Sequence, residues 1–172
     1  MQLKSTVIPI LSGIIIQICF LVILSLGELR GPAVVPFIFF SLIAGAVYLI
    51  AVSRIKDSNF PLKYIWLFAL LFRITMLFSS PPSLSDDVYR YIWDGHLINS
   101  GINPYLFQVN SPFLDRFDIP LRALVNNDWM ASPYLPTAQV VFAIITAIAP
   151  EKPLAFQITM LLLDLSVGWL II

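Results

Sequence analysis

The 172-residue chain is 59% hydrophobic, 12% charged and formally neutral, with a mean hydropathy of +0.88. A soluble domain carries roughly twice that charged fraction, and so short a chain has too little interior to hide this much apolar surface; lipid is the solvent the composition fits. Neutrality removes any global argument for nucleic-acid binding, and a single cysteine, Cys19, excludes an internal disulfide or a cysteine-built zinc site.

A membrane-spanning helix needs about 20 mostly apolar residues. Val7–Leu26 and Ala33–Val52 meet that length. Lys4 precedes the first run as it would in a signal peptide, but the run is long for one and ends without a clear small-x-small cleavage site, so it reads as a retained helix. Cys19, inside it, reads as lipid-facing or helix-packing material. The tight connection Gly27–Pro32 makes the first two helices a membrane hairpin, and Ser53–Lys63 is a short polar loop. Tyr64–Ser79 is slightly short for a span and contains Arg73; Pro81-Pro82 stops it. Ser80–Pro133 is the one long excursion. Tyr134–Ala149 is a short apolar run, Pro150–Pro153 a turn, and Leu154–Ile172 the last run. The expected fold is an all-α integral membrane protein, one transmembrane domain of about five helices over residues 1–172, plus an interfacial helix within a long loop at 80–133. The last run ends at Gly168-Trp169-Leu170-Ile171-Ile172 without a polar flank, which suggests a truncated chain or a split gene product.

Basic residues set the orientation. Lys4, Arg54, Lys56, Lys63 and Lys152 fall on one side; Arg30 and the excursion's Arg90, Arg116 and Arg122 fall on the other. Among the short loops, which decide most, the bias is five against one. The N-terminus is therefore expected in the cytoplasm of a multi-pass plasma (inner) membrane protein, with Ser80–Pro133 outside. The excursion's six aspartates against three arginines suit that face.

Ser85 is placed to cap a helix whose first turn holds Asp86 and Asp87, where negative charge complements the helix dipole. Asn99-Ser100-Gly101 supplies its stop, and Pro104 follows. Asp86, Arg90 and Asp94 recur at i, i+4 and i+8 and so share a face, with Tyr89, Tyr91 and Trp93 mixed in as at a membrane interface. The plain reading is a capped interfacial helix with an Asp–Arg pair on a solvated face. The functional reading notes the density of polar groups: Asp86, Asp87, Arg90, Asp94, His96 and Asn103. Adjacent carboxylates divide labour, one as a general base while the other binds a cation or orients substrate.

Arg73, within an apolar helix, suits either a phosphate contact or snorkelling to the headgroups. Asp164, in the last run, needs a protein partner such as Gln157 or a further helix. His96 is the only histidine, so no histidine zinc cage exists. The residues name no cofactor, although the aspartate oxygens suit a divalent cation such as Mg²⁺ or Mn²⁺. Asn103-Pro104-Tyr105 reads first as a turn.

The run from Arg73 through Pro81-Pro82-Ser83-Leu84-Ser85-Asp86-Asp87-Val88-Tyr89-Arg90-Tyr91-Ile92-Trp93-Asp94-Gly95 to Gly101-Ile102-Asn103-Pro104-Tyr105 resembles the first exoplasmic loop of GT-C membrane glycosyltransferases. The nearest group is the bacterial polyprenol-phosphate-sugar-dependent, mannosyltransferase-like proteins. Tyr134-Leu135-Pro136-Thr137-Ala138-Gln139-Val140-Val141-Phe142 resembles the Tyr-Pro-Pro-Leu-Ala-Gln stretch opening that group's next helix, with Leu135 in place of its first proline and Asn126-Asn127-Asp128-Trp129 in place of an Asn-His-Pro-type approach. The likeness covers Arg73 to Phe142, with a fainter extension to Asp164, and implies that the chain is the N-terminal portion of a longer module. It also implies sugar transfer, mannose included, from a polyprenyl-phosphate donor to a hydroxyl of a glycan, lipid or protein at the exoplasmic face. Asp87 or Asp86 would be the base, with Asp87 preferred because Asp86 lies nearer the cap. Arg73, Arg90, Asp94, His96, Asn103, Tyr105, Tyr134 and Gln139 would contact substrate. The competing reading is a noncatalytic membrane subunit or truncated pseudoenzyme that packs against a partner; a transporter is a weaker third, because no paired broken helices appear.

Overall fold

The computed structural model describes residues 2–55, 59–79 and 83–171. Every α-helix or 3-10 turn among them belongs to one of nine elements, and no strand occurs among the described residues. The helices are α1 (Gln2–Ser25), α2 (Val34–Ile55), α3 (Leu62–Leu77), α4 (Asp87–Asn99), α5 (Pro136–Ile148) and α6 (Pro153–Ile171). Short 3-10 turns lie at Gly31–Ala33, Pro112–Phe117 and Pro120–Leu124. The chain divides into two compact units, Met1–Ser79 and Ser80–Ile172.

Among the described residues, three stretches are long and apolar enough to cross a membrane: Thr6–Ser25, Gly31–Ile55 and Pro153–Ile171. Their apolar side chains stand largely exposed, as lipid would require; Leu42, Leu49, Leu162 and Val167 are examples. Five such spans were expected, and the other two are shorter. With 16 and 13 residues, α3 and α5 measure roughly 24 and 20 Å, against a hydrocarbon core of about 30 Å. Prolines bound them locally. Pro61 precedes α3, Pro136 opens α5 at the position where a missing N–H costs nothing, and Pro150 follows its end. The expected stop at Pro81-Pro82 lies outside the described residues; α3 ends at Leu77, where Phe78 N–H turns back to Thr75 and Met76 carbonyls.

In the first unit, α1 and α2 pair around Ile16, Cys19 and Ala44. Cys19 is thus a packing residue, closed to the surroundings. The connection bends at Gly27 and Gly31, both at φ +68°, a backbone region that favours glycine. α3 docks on α1 through Phe72 edge-on to Phe20 at 5.3 Å and Gln17 Nε2 donating to Thr75 Oγ1 at 2.7 Å. Gly13 makes room for the Phe68 ring: a Cβ there would stand 2.6 Å from it.

In the second unit, α4 has a core on each side. Val88 and Ile92 pack with Phe142 and Ile145 of α5 and Phe156 of α6, while Trp93 and Leu97 pack with Val109, Leu114 and Val125 of the connecting segment. The expectation of a solvated face on this helix is corrected: Arg90 and Asp94 are as buried as their apolar neighbours. The reason lies in chain that is distant in sequence and wraps the polar face. Gly95 lets α4 and α5 touch, since a Cβ at that position would lie 2.5 Å from the Phe142 carbonyl oxygen and from Thr146 Oγ1.

Candidate functional site

α4 begins at Asp87, one residue later than a Ser85 cap implies; Asp86 occupies the cap position and makes no side-chain cap bond. Ser85 contributes differently. Its Oγ accepts the Asp87 N–H at 3.2 Å and donates to Asp87 Oδ2 at 2.8 Å. Asn126, brought in by the connecting segment, donates from Nδ2 to Asp87 Oδ1 at 3.1 Å. Each carboxylate oxygen therefore accepts one bond and retains acceptor capacity. Asp87 is half-buried, fixed from two sides and still open.

Two tyrosines accompany it. Tyr91, one turn along α4, meets Tyr134 edge-on at 5.1 Å and stacks on Phe142 at 4.6 Å. Burial, and then the Asp87 negative charge, raises the Tyr91 hydroxyl above its ordinary value of 10.0. Tyr134 is raised further, first by burial, then by Tyr91 and Asp87. Both remain neutral hydroxyls throughout the physiological range. An anionic oxygen thus stands beside an aromatic wall that carries donors, a combination suited to a polyol.

Arg90, Asp94 and Gln139, all expected at substrate, come together in a different way. Arg90 Nε donates to Asp94 Oδ1 at 2.9 Å and its Nη2 to the Met130 carbonyl at 3.1 Å. Asp94 Oδ2 accepts from Ser132 Oγ and from Gln139 Nε2 at 2.8 Å. Arg90, Asp94, Ser132 and Gln139 are all buried. This network ties α4, the approach to α5 and α5 itself together just beneath the Tyr91–Tyr134 pair. Ser132 and Asn126 were missed from sequence, and only their small polar character could have flagged them.

The remaining candidates serve the loops. Asn103 Oδ1 accepts the Tyr105 N–H at 3.0 Å, the turn expected there. Tyr105 Oη donates to the Tyr134 carbonyl at 2.6 Å, so this pair positions Tyr134. His96 Nε2 meets the Phe117 carbonyl at 2.9 Å. A further hub, Arg122, bonds the Val109 and Ser111 carbonyls and Asp115 and covers the Trp93 ring at 5.1 Å. Arg73 belongs to the first unit, where Nη1 returns to the Ala69 carbonyl at 2.9 Å. It also lines an apolar cavity of about 510 Å³ among α1, α2 and α3. Asp164 lies on an exposed face of α6. Among the described residues no group of three or more His, Cys, Asp or Glu is placed to hold a metal ion.

The profile of a family described as alpha-(1->6)-mannopyranosyltransferase, N-terminal domain, matches residues 11–172. That is the class to which the Asp86-Asp87 and Tyr134–Gln139 blocks pointed. No curated protein and no solved structure matches the chain.

Proposed function

The chain belongs to the alpha-(1->6)-mannopyranosyltransferase family, matching its N-terminal domain, and on that premise we propose that it moves mannose from a polyprenyl-phosphate donor to an acceptor hydroxyl, with Asp87 as general base. The observation that carries this reading is the Asp87 carboxylate, held by Ser85 and Asn126 yet open, beside the Tyr91 and Tyr134 hydroxyls. The donor is already activated, so the protein needs to supply positioning, a base and charge stabilisation. Asp87 takes the acceptor O–H proton as that oxygen bonds to the sugar's anomeric carbon. The bond from that carbon to the phosphate oxygen breaks, and the phosphate leaves with the electron pair. No protein nucleophile is needed. The Asp94 network supports the reading by locking α4 and Tyr134 into one arrangement, an economy suited to a site that must hold its geometry.

The same reading puts Asp87 on the exoplasmic side of a GT-C-like membrane protein whose N-terminus is cytoplasmic, following the bias of basic residues. A cysteine replacing Asn110, which is exposed, tests the orientation against a low background, because Cys19 is buried. Labelling of intact cells is expected, and labelling only after permeabilisation would reverse the topology. The chemistry is tested in membranes carrying the complete protein, with a polyprenyl-phosphate mannose donor and an α-mannoside acceptor. Asp87→Asn is expected to lower transfer by about 10²–10⁴-fold, and Asp86→Asn by much less. Transfer at the parent rate in a folded Asp87→Asn variant would remove the base assignment.

A further inference from the structure

A second cavity, of about 370 Å³, opens between the C-terminal ends of α4 and α5. Its polar lining residues are His96, Asn99, Thr146 and Glu151. Their hydrogen atoms are nearly all committed elsewhere. Asn99 Nδ2 donates to the Ala143 carbonyl and to Thr146 Oγ1, both at 3.0 Å, which uses both amide protons and leaves Oδ1. Thr146 Oγ1 gives its proton to the Phe142 carbonyl at 2.8 Å. His96 Nε2 faces a carbonyl, so it carries the hydrogen, and Nδ1 of the neutral ring is left as an acceptor. Glu151, when ionised, has only acceptors. The lining therefore offers lone pairs and one negative charge.

Such a wall rejects phosphate and carboxylate and selects a guest that brings its own donors. The rest of the lining is apolar, from Ile92, Ile119, Ala147 and Pro150, which suits the C–H faces of a pyranose. The volume sits within the usual range for small-molecule sites of about 300–1,000 Å³. We propose that this cavity is a second sugar subsite, holding one neutral hexose unit by its hydroxyl donors. His96 is nine residues beyond Asp87, roughly 14 Å along α4, so the subsite stands apart from the proposed base. The turn that supplies Pro150 and Glu151 also carries Lys152, which the bias of basic residues sets opposite Asp87, so this hexose is not the acceptor of the transfer proposed above.

The test uses the whole chain in lipid nanodiscs, with methyl α-mannopyranoside as probe and saturation-transfer NMR as readout. The parent chain is expected to transfer saturation to the probe. Ala147→Phe, a change at an exposed lining residue, is expected to reduce the signal at least five-fold, and Ala147→Ser, which adds little bulk, to keep it. Glu151→Gln is expected to weaken binding. An undiminished signal in Ala147→Phe, or no signal from the parent chain, overturns the subsite. Binding of spermidine in place of the mannoside would make it a cation site and overturn the sugar assignment. The two readings fail separately: Asp87-dependent transfer by the complete protein without a pocket signal removes only the subsite, and a pocket signal with Asp87-independent transfer removes only the base.

Discussion

Arg90 and Asp94 form a charge pair almost closed to solvent, with Nε 2.9 Å from Oδ1 and side chains 3% and 1% exposed. Breaking such a pair from one side leaves an uncompensated buried charge, which costs about 3–5 kcal/mol. Asp94→Ala does this and also strips Ser132 and Gln139 of their shared acceptor. It is expected to lower the unfolding temperature in detergent sharply. Arg90→Met with Asp94→Leu removes both charges and is expected to cost less than Asp94→Ala alone. A double variant no more stable than the single one would show that the charges are not the reason.

Gly95 is expected to reject even a methyl group. The obstacle to its Cβ includes the Phe142 carbonyl, which is backbone and moves only if α5 moves. Overpacking of this kind costs about 1–3 kcal/mol. Gly95→Ala should therefore destabilise the second unit and loosen the Asn99–Thr146 bond. Gly45→Ala is the control, because nothing lies within 4 Å of the added carbon. Equal melting temperatures for the two variants would contradict the close approach of α4 and α5.

The tyrosines give a pH prediction whose sign follows from their direction of shift. Folding raises Tyr91 and Tyr134 above 10.0, so the folded state favours their protonated forms. Their contribution to stability is complete below pH 10 and is lost as pH rises through the raised values. Absorbance titration of tyrosinate should show Tyr91 and Tyr134 ionising above pH 10.0. Asp87→Asn removes a negative charge that raises both, and should bring both midpoints down. Unchanged midpoints in that variant would mean that Asp87 does not face the pair.

The apolar runs that became α1, α2 and α6 were plain from hydropathy alone, because lipid selects for length and composition. The boundaries of α4 were nearly as plain, set by Asp86-Asp87 at one end and Asn99-Ser100-Gly101 at the other. The i, i+4 spacing even placed Arg90 beside Asp94. What spacing does not carry is burial. Ser132 and Gln139 close that pair from 38 and 45 residues away, and no local pattern announces a partner at that distance. The two runs read as short, Tyr64–Ser79 and Tyr134–Ala149, became α3 and α5 with 16 and 13 residues, their limits moved by a few residues where prolines and turns set the ends. Asn126 was read only as a departure from a familiar motif, yet it holds the proposed base.

Asn126 therefore gives a sharp test of how that base is positioned. Its Nδ2 reaches Asp87 Oδ1 across 39 residues of sequence at 3.1 Å, whereas Ser85 holds the other oxygen from next door. A hydrogen bond to a charged group contributes about 1.5–3 kcal/mol. Only the part that aims the carboxylate appears in the rate, so Asn126→Ala is expected to reduce kcat about ten-fold, or about 1.4 kcal/mol, with KM nearly unchanged. Ser85→Ala should act in the same direction. Both residues hold one carboxylate, so the double variant should fall short of the product of the two effects. Asn126→Gln keeps a donor and should recover part of the rate, an outcome that a purely structural role for Asn126 does not require. If Asn126→Ala raises KM and leaves kcat alone, the residue contacts substrate and does not aim Asp87.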